Sequence, residues 1–162
     1  MRLAAALAGL ALALAACGFQ LRGTASLPFE TIYVPNATAG IALEIKRGIQ
    51  AGSNARVVDD AKAAAALLQF SEESRRKEIL SLTAAGRVSE YRLFYRVGFR
   101  VSDGKGGDFL PPVSIRLFRD MTYDDSQVLA KEEEEQLLFR DMQQDMVQQV
   151  LRRIATAKPV KS

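Results

Sequence analysis

From Tyr91 to Val101 every second residue is apolar: Tyr91, Leu93, Tyr95, Val97, Phe99 and Val101. An extended backbone sends successive side chains to opposite sides, so these six share one face of a β-strand. Arg92, Arg96 and Arg100 lie on the other face, interrupted by Phe94 and Gly98. A strand this long with one greasy face is not stable alone; something must cover it. The C-terminal part of the chain supplies a cover. Leu138, Met142, Met146, Val150 and Ile154 recur every four residues, with Phe139, Val147 and Leu151 alongside, which is one stripe of an amphipathic helix.

The other elements follow from the same two periods. Phe29 to Pro35 contains Ile32, Tyr33 and Val34, good strand formers closed by Pro35-Asn36. Between Gly40 and Gly52 the residues Ile41, Ile45 and Ile49 mark a short helix, ended by Gly52-Ser53-Asn54. A strand is expected from about Leu67 to Lys77, where Leu68 and Phe70 and then Glu72, Ser74 and Arg76 alternate with their neighbours. The Gly-rich segment Asp103 to Asp108 joins the long strand to another, with Val113, Ile115 and Leu117 on one face and an end near Tyr123. Asp124, Asp125 and Ser126 suit the start of the last helix. Glu132 to Glu135 and Arg152-Arg153 match its dipole at either end, and Pro159 follows it. The expected fold is α+β: a two-layer sandwich, a four-stranded mixed sheet with two helices on one face, in the order β-α-β-β-β-α.

Composition narrows the chemistry sharply. The chain has 162 residues, no His and one Cys. That removes Ser-His-Asp triads, Cys-His pairs and His-bearing zinc sites. It also removes internal disulfides, CxxC pairs and Cys₄ metal sites. Ser81, Ser89 and Ser114 sit in no recognisable nucleophile motif. The Asp103 to Asp108 loop has neither the phosphate-loop pattern nor the terminal Glu of a calcium loop. No enzymatic function, cofactor or metal is expected, and no aromatic-basic module points to nucleic acid.

The single Cys stands at a telling place. Arg2 precedes an Ala/Leu-rich run from Leu3 to Leu14, too short to span a bilayer but suited to a signal peptide. The run ends in Leu14-Ala15-Ala16-Cys17, the pattern of a bacterial lipobox, in which the Cys thiol accepts a diacylglyceryl group. Residues 1–16 are therefore expected to be a lipoprotein signal peptide, 17–28 a lipidated linker, and 29–158 the folded domain. The diacylglyceryl and N-acyl groups on Cys17 together give stable anchoring, which one acyl chain does not. Gly18 rather than Asp after the Cys favours the outer membrane, with the domain facing the periplasm.

Several segments resemble one family. Cys17-Gly18-Phe19-Gln20-Leu21-Arg22-Gly23, Gly86 with Glu90-Tyr91, Arg116-Leu117-Phe118-Arg119 and Val128-Leu129-Ala130-Lys131-Glu132 are together similar to the LPS-assembly lipoproteins of the LptE (RlpB) family. The resemblance covers essentially the whole chain after the signal peptide. It implies two helices on a four-stranded sheet, no catalysis, and an outer-membrane lipoprotein that plugs the LptD β-barrel one-to-one within its lumen. It further implies help in barrel assembly and binding of lipopolysaccharide for delivery to the outer leaflet. An alternative is an envelope lipoprotein that scaffolds or assembles without binding lipid.

The resemblance also nominates residues. Between Arg75 and Arg119 there are ten basic residues against four acidic ones, and between Asp120 and Asp145 nine acidic against two basic. Phosphorylated lipid needs cations, and the family's basic position near the start of the last helix falls on Lys131. Its basic loop position falls in Thr83-Ala84-Ala85, so the nearest base, Arg87, is expected to take that role. Pairing of Lys131 with Glu135 one turn on is the competing reading. The Arg92, Arg96 and Arg100 row fits either a solvated sheet face or a surface for the barrel or ligand.

Overall fold

A computed structural model describes residues 25–160. Cys17, the expected signal peptide and residues 17–24 of the expected linker lie outside the described residues. In chain order the elements are β1 (Thr31–Tyr33), α1 (Gly40–Gly52), β2 (Arg56–Val58), β3 (Ala66–Leu82), β4 (Val88–Ser102), β5 (Asp108–Thr122) and α2 (Val128–Ile154). The sheet has five strands in the order β2-β1-β3-β4-β5. β1 runs parallel to both β2 and β3, while β3, β4 and β5 are antiparallel.

The fold is the expected α+β sandwich with one strand more than four. The additional β2 is three residues long, and its two valines give no alternation to read before Asp59-Asp60. It exists because α1 returns the chain beside β1, the crossover that parallel pairing requires. β5 begins at Asp108 rather than Val113 and so contains Pro111-Pro112. Prolines are tolerated there because β5 is an edge strand and the pairing skips across them between Phe99 and Val101. The last helix begins at Val128, after a 3₁₀ turn over Asp125–Gln127 that Asp124 caps by accepting from the Ser126 amide.

The core forms where the two periods meet. Leu93, Tyr95, Val97, Phe99 and Val101 of β4 are buried against Met142, Met146, Val150 and Ile154 of α2 and Ile41, Ile45 and Ile49 of α1. Gly48 lets the helices approach: a Cβ there would stand 2.4 Å from Leu151 Cδ1. Among the described residues no helix covers the opposite face of β4.

Register explains the charges of β3. Its pairing with β4 slips between Phe70 and Glu72, leaving Ser71 as a bulge. Up to Phe70 the even residues share the core face; beyond it Glu73, Arg75, Lys77 and Ile79 stand opposite Val97, Tyr95, Leu93 and Tyr91. Three charged residues thus face the helix side. They are satisfied there: Tyr95 donates to Glu73 at 2.8 Å, Lys77 pairs with Glu135 at 2.6 Å, and Arg75 lies over the Tyr95 ring.

Truncating the fully buried Met146 to alanine is expected to cost about 2–5 kcal/mol in urea unfolding. Leu129→Ser, on the same helix but 78% exposed, is expected to stay within about 0.5 kcal/mol of the parent.

Candidate functional site

The distal end of the sheet is built by the β3–β4 hairpin and by the junction of β5 with α2. Thr83–Arg87 makes the hairpin turn, in which Gly86 takes φ 75° and donates to the Thr83 carbonyl at 2.9 Å. The Thr83 amide donates to the Arg87 carbonyl and the Arg87 amide donates to Thr83 Oγ1, so the turn is closed on itself. The Tyr123 amide donates to the Ser89 carbonyl at 2.8 Å, tying the end of β5 to the same hairpin. The Tyr91 and Tyr123 rings meet edge to face at 5.0 Å above this tie.

Two cations converge on this end. Lys131, in the first turn of α2, donates to Thr122 Oγ1 at 3.0 Å and to Glu134 Oε2 at 2.8 Å. Its ion-pair partner is therefore Glu134 rather than Glu135, whose carboxylate is taken by Lys77. Arg87 is exposed on the hairpin, and among the described residues it forms no ion pair. Asp124 reports that the two are neighbours. Its carboxyl is held below the usual carboxylate range, first by the Ser126 amide and hydroxyl and then by the fields of Arg87 and Lys131. The hairpin and the helix start, far apart in sequence, thus place Arg87 and Lys131 at the same end of the sheet, near enough for both fields to reach Asp124 without an ion pair to either.

Exposed apolar side chains occupy the same end of the sheet. Ile79 (59% exposed), Leu80 and Leu82 (56%) stand at the end of β3, and Val128 and Leu129 (78%) at the start of α2. These five are most of the large exposed apolar side chains of the described residues. Sequence reading did not single them out. The signal was there in the consecutive pair Ile79-Leu80, since adjacent apolar residues on a strand cannot both face one core. Cations and exposed apolar side chains at one end of the sheet suit an amphiphile bearing phosphate and acyl chains, because each half of such a ligand finds its complement.

The row of arginines on the open sheet face is arranged differently. Arg92 makes a two-pronged contact with Asp120 at 2.6 and 2.7 Å and lies 5.0 Å over the Phe118 ring. Arg96 pairs with Glu72 at 3.1 Å and Arg100 donates to Gln69 at 2.6 Å, with Asp108 at 3.9 Å. Each of the three has an internal partner, and the same face also presents exposed Arg116, opposite Arg96 and without an ion pair among the described residues, and exposed Phe118. Ser81 Oγ meets Ser89 Oγ and Glu90, each at 2.7 Å; its partners include no lysine that would make it a nucleophile. Among the described residues no helix is long and apolar enough to cross a membrane, and no cluster of His, Cys, Asp or Glu could hold a metal ion.

The comparisons with known proteins agree with one another. The family model described as LptE, lipopolysaccharide-assembly, matches residues 29–154. A protein of Photorhabdus laumondii named LPS-assembly lipoprotein LptE is 26% identical, over 96% of this chain and 86% of its own. One of the same name from Yersinia pestis is 29% identical, over 96% of this chain and 76% of its own. Among solved structures, lipoprotein B from Nitrosomonas europaea superposes with TM-score 0.71 and 41% identity, covering 85% of this chain and 90% of that one. The rare lipoprotein B of Shewanella oneidensis does so with TM-score 0.64 and 26% identity, covering 78% and 92%.

Carbon-detected titration of Asp124 tests the convergence. Arg87→Gln and Lys131→Gln are each expected to raise its midpoint, and the double variant to leave it still low because Ser126 remains. A carboxyl with a depressed folded pKa contributes stability above its unfolded value of about 3.9 and loses it as pH falls through the folded value. Asp124→Asn is accordingly expected to flatten the stability profile below about pH 4 and to change nothing in its slope at neutral pH.

Proposed function

The chain belongs to the LptE family of lipopolysaccharide-assembly lipoproteins, and from that premise we propose what it does in the envelope. It is anchored in the outer membrane through acylated Cys17, plugs the LptD barrel in a one-to-one complex and assists that barrel's assembly. It binds lipopolysaccharide and passes it towards the outer leaflet. No catalytic step enters this scheme.

The observation that carries the lipid-binding part is that Arg87 and Lys131 share the distal end of the sheet with the exposed side chains Ile79, Leu80, Leu82, Val128 and Leu129. An arginine offers a two-pronged grip on a phosphate and a lysine a mobile point charge. Lys131 is already held by Glu134 and Thr122, so an incoming phosphate exchanges one partner for another there, whereas at Arg87 it gains a new one. The acyl portion covers leucine and valine side chains that water now wets, at about 25 cal/mol per Å². The barrel part is supported by the open sheet face. The internally paired Arg92, Arg96 and Arg100, with exposed Arg116 opposite Arg96, make a largely polar surface, which fits the polar interior of a barrel.

Two measurements separate the parts of this proposal. Affinity purification from detergent-solubilised outer membranes is expected to bring down a large β-barrel at near one-to-one stoichiometry; a protein that emerges without a barrel removes the plug role. Arg87→Asp with Lys131→Asp is expected to weaken binding of purified lipopolysaccharide by at least about tenfold with an unchanged circular-dichroism spectrum. That magnitude follows from charged hydrogen bonds of about 1.5–3 kcal/mol each. A folded double variant that binds as before removes these two residues from the site. Barrel capture without any lipid binding would identify a scaffolding subunit instead.

A further inference from the structure

The opposite end of α2 carries a second feature, which the function above does not use. A groove of about 390 Å³ lies between the C-terminal turns of α1 and α2, walled by Leu27, Gly48, Ile49, Leu151 and Ile154. It is more apolar than polar, as ligand-sized clefts are. Gly48 makes part of it, since the missing side chain leaves Leu151 as the wall. The groove is also where the described chain begins: Ala25 lines it. The Ala25 amide donates to the Gly52 carbonyl at 2.8 Å and the Asn54 amide to the Ala25 carbonyl at 3.2 Å. Leu27 is fixed in turn by a 2.7 Å bond from its amide to Asn54 Oδ1. The backbone is thereby pinned at the groove's edge, and whatever precedes Ala25 starts from there.

What precedes it is Gly18-Phe19-Gln20-Leu21-Arg22-Gly23-Thr24, in which Phe19 and Leu21 are the large apolar residues. We propose that this segment lies in the groove, with Leu21 and Phe19 seated between α1 and α2, and so straps the lipidated N-terminus to the body. Reach is adequate. Leu21 stands four residues before Ala25 and Phe19 six, about 13 and 20 Å of extended chain. The α2 wall from Gln148 to Ala155 is about 12 Å long. A tether this short holds the segment at an effective concentration in the millimolar range, which no free partner matches. Gln148 and Arg152 at the rim offer side-chain donors to the carbonyls of an extended strap. The inference is independent of the lipid-binding site, because the two ends of α2 are about 40 Å apart for a helix of 27 residues.

Hydrogen exchange on the full mature lipoprotein in detergent tests this. Phe19→Asp with Leu21→Asp is expected to speed exchange at Gly52–Ala55 and in the last two turns of α2 by about tenfold, with the β4 amides unchanged. Identical exchange in parent and variant overturns the strap. A second variant distinguishes the occupants: Cys17→Ser, exported with a cleavable signal peptide and carrying no lipid, is expected to keep the parent's protection. Loss of protection in that variant would mean that the acyl chains fill the groove and would overturn the proposal. Protection that rises with protein concentration would assign the groove to a second copy and overturn it equally. A global rise in exchange, β4 included, in the Phe19/Leu21 variant would show general unfolding; the milder Phe19→Ser with Leu21→Ser then decides by the same local criterion.

Discussion

Everything in this molecule hangs on the burial of one helical stripe against one strand. Met142, Met146, Val150 and Ile154 of α2 and Leu93, Tyr95, Val97, Phe99 and Val101 of β4 are almost all fully inaccessible, and α1 completes the layer with Ile41, Ile45 and Ile49. At about 1.5–3 kcal/mol for each large side chain taken from water, this contact outweighs any of the surface pairs. It also fixes where the helix can be greasy. The stripe runs from Leu138 onward; the two turns before it present Lys131, Glu134 and Glu135 towards the sheet.

That division makes the two ends of the sandwich unlike. Near β1 and β2 two helices share the cover. Towards the β3–β4 hairpin only the polar start of α2 remains, and β3 answers with Lys77 and Arg75 once the bulge at Ser71 has turned its odd residues inward. The hairpin therefore keeps Ile79, Leu80 and Leu82 in water instead of burying them. That end is left without a cover of its own, and the stability lost there is supplied by the well-packed end.

The long elements were legible in the sequence because their periods are unbroken. β4, α1 and the body of α2 follow from Leu93–Val101, Ile41–Ile49 and Met142–Ile154, positions where one face meets one core. The bulge was not legible. Leu68 and Phe70 run smoothly into Glu72, Ser74 and Arg76, and only the pairing partner shows that the face changes between them. Nor was β2, whose three residues gain their identity from β1 beside them. The convergence of Arg87 and Lys131 depends on the same long-range pairing, as does the choice of Glu134 over Glu135. Family resemblance pointed to Lys131 and, through its neighbourhood, to Arg87; the tie between Tyr123 and Ser89 explains why they share one end of the sheet.

The outermost strands bear on a danger that any open sheet carries. β2 offers only three residues to a passing strand, and β5 meets one with Pro111-Pro112, which have no amide hydrogen to donate, followed by Arg116, Arg119 and Asp120. Both borders of the sheet are therefore poor templates for copying. A chain that exposes leucines at its tip is thereby kept from stacking edge to edge into fibres.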